Sequence, residues 1–544
     1  MGYSRFISFL ALISLANSAK VLVWSPLMGR SHVRFMARMA DILVTDGHNV
    51  TLFQTIFDPD TVPLYNTLAQ DIIVHHPSDW DPNLLYSFDY KTDQMFKRKE
   101  MLFRPDNAKN LLQVSLTQCR GLINDHDLIL RLRKEKFDLI VFEIIDPCPG
   151  LWLQYLNIDK LIVASSYGMA PVMDSMSGLH SSPSFVPYLF RSFGNEMTYF
   201  ERFENFIYAI FQHTYLQFVS SQLMLLAEKL PKLPNTQKLI SPMDFLAQKT
   251  SAYFINANEF SEVARPVGKN FVHVGGMMVD EKQEPLSGDY ARLYDSCPQG
   301  VVVFSFGSMV KMSNFPLASK LEMLASFKRF PELCFVWKTD ASALTSDRSA
   351  AIFANVTSAM SNLFVRTWIP QQQLLADKRT KAFITHAGAM STNEAFAFGT
   401  PVITIPLYLD NYHNSAAIVR HGLGVAIDKL DITETVMTEA INEIVYGNSS
   451  KTTFQQRANL AAAILKPHRH RITSEITYWA RQVAEFGPLE HLVLNGTQLS
   501  LLQVYLIDIL VPLGALLSAI VYGSVRLMQK LFKENTFATK VKLN

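Results

Sequence analysis

Residues 368–375 (WIPQQQLL), 381–388 (KAFITHAG), 390–401 (MSTNEAFAFGTP) and 407–411 (LYLDN) decide the reading of this 544-residue chain. The short apolar run 382–385 fits a buried parallel strand and ends in the small turn His386-Ala387-Gly388. A helix follows, with Ser391 or Thr392 as N-cap and Gly399-Thr400-Pro401 as its stop signal. Residues 402–406 form the next strand, with Asp410 and Asn411 just past its end. Open α/β sheets bind ligands beyond the carboxyl ends of their strands, which is where this order puts its polar residues. The free N–H groups of the helix start suit a diphosphate. Trp368 offers a flat apolar face and Gln371 a paired donor and acceptor, a combination suited to a nucleobase.

This ordered set resembles the signature of the UDP-glycosyltransferases, and its context resembles their membrane-bound UDP-glucuronosyltransferase branch. Matches run from Trp24 to the C-terminal tail. The resemblance implies a metal-independent inverting enzyme of the α/β class, with a GT-B fold of two Rossmann-like domains facing a cleft. It needs no cofactor beyond the co-substrate, UDP-glucuronate or another UDP-sugar. It also implies that Trp368 and Gln371 hold uracil, that His386, Gly388 and Ser391 hold the diphosphate, and that Glu394 binds ribose. Asp410 and Asn411 would touch the sugar. Met390 stands where the family commonly has Asn, and Asn411 where it has Gln, so glucuronate and glucose both stay open as donor sugars.

Composition sets outer limits. Hydrophobic residues make up 49% of the chain, and the mean hydropathy of +0.10 is high for a soluble protein. A net charge of +2 gives no case for a nucleic-acid surface. Cys119, Cys148, Cys297 and Cys334 are too few for a disulfide framework or a zinc site, but leave room for one structural disulfide.

At the N-terminus, residues 1–18 have Arg5, an apolar stretch and a small-residue cleavage site, the pattern of a secretory signal peptide. Residues 20–25 read as a strand, 33–45 as a helix and 48–53 as a second strand, a Rossmann-like opening without a GxGxxG fingerprint. His32 sits at the loop-to-helix junction, where a positive helix end favours a neutral imidazole. The resemblance makes it the catalytic base. Its carboxylate partner is Glu143 or Asp146, both at the end of an apolar strand at 137–142.

Three Asp-x-Asp triplets, beginning at Asp58, Asp79 and Asp125, read as turns rather than metal sites. The aromatic series between Phe185 and Phe218 is too dense for one buried helix stripe and suggests an apolar acceptor pocket or a membrane-resting surface. Residues 301–305 form a strand whose following loop, with Ser308, approaches the phosphates in the family. Arg265 is a candidate cation for UDP or a sugar carboxylate.

The expected divisions are a signal peptide at 1–18, an acceptor domain at 19–268 and a UDP-sugar domain at 269–440. Helices crossing back to the first domain at 441–498, a transmembrane helix at 499–523 and a cytosolic tail at 524–544 complete the chain. The apolar span reaches from 501 to 522, with Arg526, Lys530 and Lys533 on the cytosolic side. Lys540 and Lys542 match a dilysine retrieval pattern, placing the protein in the endoplasmic reticulum membrane as a single-pass type I protein. Sequons at Asn49, Asn355, Asn448 and Asn495 fall on the luminal side. The partners expected are a UDP-sugar, a small lipophilic acceptor and the bilayer, with no nucleic acid and with homo- or hetero-oligomers left open. A reading from another class is a non-catalytic lipophile-binding membrane protein with a degenerate nucleotide site.

Overall fold

The computed structural model describes residues 18–541 except 59, 78–92, 97–104, 180–181, 189–190, 192, 229, 231–237 and 448–452. The signal peptide (apart from Ser18), the triplet at Asp79, the sequon at Asn448 and Lys542 lie outside the described residues.

Thirteen strands are described, all in parallel pairs, forming two sheets. The first holds β1 (Lys20–Leu27), β2 (Asn49–Ile56), β3 (Asp71–His75), β4 (Leu139–Glu143), β5 (Leu161–Ser165), β6 (Thr250–Ile255) and β7 (Phe271–His273), in the order β3-β2-β1-β4-β5-β6-β7. The second holds β8 (Val301–Ser305), β9 (Cys334–Lys338), β10 (Leu363–Arg366), β11 (Thr380–Thr385), β12 (Val402–Thr404) and β13 (Gly424–Ala426), in the order β10-β9-β8-β11-β12-β13. Strands β1, β4, β5 and β8 are mostly apolar and buried almost end to end because helices cover both faces of each sheet.

The strand order reverses between β1 and β4 in the first sheet and between β8 and β11 in the second. Such switch points open a crevice at the strands' carboxyl ends. Tyr253 of β6 registers with Phe271, so β7 belongs to the first sheet and the linker lies beyond the expected boundary at 268.

Five helices shape the site, join the domains or carry the apolar span. Helix α1 (Arg30–Thr45) starts three residues earlier than apolar spacing suggested, with Gly29 as N-cap. A Cβ on Gly29 would stand 2.7 Å from Met309 Sδ, so glycine lets the two domains meet there. Helix α2 (Tyr199–Ala227) opens on a capping box between Thr198 and Glu201. Helix α3 (Ala389–Phe398) is capped by Gly388, not by Ser391 or Thr392, and ends at Gly399, whose φ of 69° favours glycine.

Helix α4 (Phe454–Phe486) joins the halves. Ala458, Ala461 and Leu465 pack in a core under the second sheet. Ile472, Ile476, Ala480 and Val483 pack under the first. Pro467 lies between the two groups. The helix Glu434–Tyr446 stays with the second domain, packed through Met437, Ile441 and Ile444, while α4 and the segment after it return to the first, where the Leu489 N–H donates to Ser251 Oγ at 3.1 Å.

Helix α5 (Ile507–Val541) contains an apolar span, Ile507–Lys533, long enough to cross a membrane. Its start is later than the expected 499–501. Leu506 adopts a φ of 54°, which breaks the chain between a short helix at Leu501–Val504 and α5.

The cysteines form two disulfides, Cys119–Cys148 and Cys297–Cys334, rather than the single one allowed for. Each pair joins segments that only the fold brings together.

Candidate active site

The carboxyl ends of both sheets face one cavity of about 700 Å³, lined by residues of both domains. His32, in the first turn of α1, enters it from the first domain. Its Nδ1 lies 2.7 Å from Ser166 Oγ and 3.6 Å from Glu143 Oε1. Glu143 is the last residue of β4 and wholly buried. Its Oε1 accepts the Ser166 backbone N–H at 3.0 Å, while Oε2 has no hydrogen-bond partner.

Asp146 turns elsewhere. It accepts from Trp24 Nε1 at 2.8 Å, Thr55 Oγ1 at 3.3 Å and the Cys148 N–H at 2.9 Å. Burial pushes its carboxyl up to about 6 against those three bonds. Of the two carboxylates left open by the sequence, Glu143 is therefore the one facing His32. Ser166, just past the end of β5, had no sequence signal, since it lies 134 residues from His32.

The second domain supplies the opposite wall. Glu394 holds Gln371 Nε2 at 2.6 Å and Gln372 Nε2 at 3.0 Å. Gln371 also donates to Ser391 Oγ at 3.2 Å. Desolvation raises the Glu394 carboxyl despite those amide donors. Gln372 escaped the sequence reading because the run of three glutamines gives no sign of which ones turn inward.

Trp368 is 57% exposed, leaving a ring face open to the cavity. His386 is buried between Gly307 and Gly388, where a Cβ on either glycine would come within 3.0 Å of its ring. Desolvation, with the nearby Lys338 ammonium, drives its imidazole down to about 3, so it stays neutral. Ala387 takes a φ of 65°, and its carbonyl accepts from Asn414 Nδ2 at 2.9 Å. Asn414 also donates to Asp410 at 2.8 Å. Burial lifts the Asp410 carboxyl to about 6, opposed by that bond and by the charge of His32. Ser308, Gly388, Ser391 and Asn411 also line the cavity.

Arg265 does not. It forms a buried ion pair with Asp174 and is absent from the cavity wall. The proposed cation for a sugar carboxylate is thus committed to the first domain. Beyond His32 the cavity turns apolar, with Ile144, Tyr188, Phe211, Tyr215, Val219 and Leu223 in its wall. Helix α2 gives one face to this pocket and leaves Phe200, Phe203, Ile207 and Ile210 exposed on the surface.

The remaining sequence candidates sit apart. The Asp58 carboxylate accepts the Asp60 N–H at 3.0 Å, and Asp125 caps the helix His126–Glu135, so both triplets form turns or caps. Asn49, Asn355 and Asn495 are exposed.

The sequence model of the UDP-glucuronosyl and UDP-glucosyl transferase family matches residues 19–542. A putative UDP-glucuronosyltransferase of Caenorhabditis elegans, ugt-48, is 25% identical over 94% of this chain and 95% of its own. UDP-glucosyltransferase 2 of Dactylopius coccus is 26% identical, covering 92% and 91%. Human UDP-glucuronosyltransferase 3A2 is 28% identical, also covering 92% and 91%. The solved Phytolacca americana UGT2, bound to UDP-2-fluoro-glucose and pterostilbene, superposes with a TM-score of 0.54. It is 15% identical and is covered over 99% of its length by 86% of this chain. The kitacinnamycin glycotransferase reaches a TM-score of 0.58 at 16% identity, with 86% and 99% covered. The fold is GT-B.

Proposed function

The chain belongs to the UDP-glucuronosyl and UDP-glucosyl transferase family, and from that premise we propose that it transfers a glucuronosyl group from UDP-glucuronate to a hydroxyl of a small lipophilic acceptor. The observation that carries the catalytic reading is the His32 imidazole. It is fixed through Nδ1 by Ser166 and Glu143, with an apolar pocket on one side and Trp368, Gln371, Glu394 and His386 on the other. A degenerate binding protein has no use for such a support.

With Nδ1 engaged, Nε2 is the ring nitrogen left to take the acceptor's proton. The acceptor oxygen forms a bond to the anomeric carbon as the bond to the diphosphate oxygen breaks on the opposite face. An α-linked donor thus gives a β-glycoside. The proton ends on His32 and the electron pair on UDP. Glu143 stabilises the imidazolium that forms, and a base so oriented contributes roughly 10²–10⁴-fold. Asp410 would accept hydrogens from the sugar hydroxyls, and the His386 loop and the start of α3 would receive the diphosphate.

A glucosyl donor is the second reading, favoured by one observation: Arg265 is tied to Asp174 and so cannot meet a sugar carboxylate in the cavity. UDP release from membranes expressing the chain, with UDP-glucuronate and UDP-glucose over a panel of phenols, decides between them. Release with either donor that disappears in His32→Ala supports the mechanism. Tight UDP binding without release from either donor would make the chain a binding protein. The late apolar span, the basic residues after it and the exposed sequons support a type I topology with the catalytic part in the lumen of the endoplasmic reticulum.

A further inference from the structure

Two cations meet over one ring in the cavity. The Arg30 guanidinium carbon lies 5.2 Å and the Lys338 ammonium 5.8 Å from the centre of the Trp368 ring. Arg30 opens α1 in the first domain, whereas Lys338 ends β9 in the second. Both side chains line the cavity. Neither forms an ion pair with a carboxylate among the described residues. The carboxylate nearest in sequence, Asp340, is occupied by Ser342, the Ser313 N–H and the Ala343 N–H. Lys338 instead donates to the Gly307 carbonyl, next to Ser308. Desolvation and the Arg30 charge together push the Lys338 ammonium down.

Two like charges converging in a partly desolvated cleft repel each other unless an anion joins them. The remaining cation of the cavity wall, Arg34, acts on the Glu394 carboxylate. His386 stays neutral, and the side chain of Met390, in the first turn of α3, presents no donor where the resemblance leads one to expect an amide. The Trp368 face places the cation pair at the nucleotide end of the cavity.

We propose that Arg30 and Lys338, one from each domain, bind the diphosphate of the donor between them. This rests on the UDP-sugar reading and deepens it. Arg30 reaches the donor from the acceptor domain, so donor binding draws the two domains together at the end of α1 that carries His32.

The test measures binding of UDP and of uridine to the full chain in detergent or nanodiscs. The wild type is compared with Arg30→Ala, Lys338→Ala and the charge-keeping Arg30→Lys and Lys338→Arg, after thermal melting has shown each variant folded. Losing a charge-assisted contact should weaken UDP about tenfold or more in each alanine variant while uridine changes less than about twofold. The charge-keeping variants should recover most of the loss. Equal losses for UDP and uridine would show that the cations act only on the Trp368 face and overturn the proposal. So would unchanged UDP binding. A loss seen with UDP-glucuronate but not with UDP would move the cations to the sugar carboxylate and overturn it too. Wild-type protein that binds no UDP at all would instead overturn the functional reading on which the proposal rests.

Discussion

The Ser166 hydroxyl stands 2.7 Å from His32 Nδ1, closer than the Glu143 carboxylate at 3.6 Å, and Glu143 holds the Ser166 backbone in place. The base is thus supported by a serine and a carboxylate together. Ser166→Ala should lower kcat by about tenfold, the scale of one lost orienting hydrogen bond. His32→Ala should cost roughly 10²–10⁴-fold. Single-turnover rates at saturating donor check both, and a Ser166→Ala enzyme with full activity would leave Glu143 as the sole support.

Glu394 lies under the nucleotide end with both carboxylate oxygens taken by glutamine amides, Gln371 and Gln372. If it receives ribose hydroxyls, the wild type should prefer UDP over its 2′-deoxy analogue by about tenfold. Glu394→Ala should bind both equally, as competition binding would show.

Asp410 has its carboxyl raised to about 6 by burial. It is therefore charged above that pH and neutral below it. Affinity for an intact UDP-sugar, measured without acceptor in both the wild type and His32→Ala because the His32 charge acts on Asp410, should fall as pH drops through about 6. Asp410→Asn should bind more weakly than the wild type at pH 7.5 and lose this pH dependence. A flat profile in the wild type would remove Asp410 from the sugar site.

Asp146 carries the same upward shift, to about 6, while hydrogen-bonded to Trp24, Thr55 and Cys148. An acid raised on folding binds protons more readily in the native state. Its destabilising charge therefore develops as pH rises from about 4, the unfolded value, to about 6, and is complete above that. Melting of Asp146→Asn against wild type should shift in favour of the variant across this window and stay constant from pH 7 to 8. A gap between the two that does not change with pH would place the shifted group elsewhere.

Strands β8 and β11, the stop at Gly399 and the order of residues from Trp368 to Asn411 were legible because parallel strands and helix ends are written in local apolar runs and glycines. Boundaries moved by three or four residues where caps form from glycine: Gly29 starts α1 ahead of the apolar spacing, and Gly388 starts α3 ahead of Ser391 and Thr392. The late start of α5 turns on Leu506, a residue with no turn chemistry of its own.

By itself the sequence determined the fold class, the presence of an apolar span and the residue types of the nucleotide side, since each of these lies within a single short stretch. Tertiary structure alone decided which carboxylate faces His32, because β4 ends at Glu143 with its side chain toward α1, while Trp24 draws Asp146 away. It also added Ser166 from just past β5, tied Arg265 to Asp174, closed both disulfides and set Arg30 against Lys338. Each of these joins residues far apart in the chain, and their distances depend on how two sheets and helix α4 pack, which no local pattern encodes.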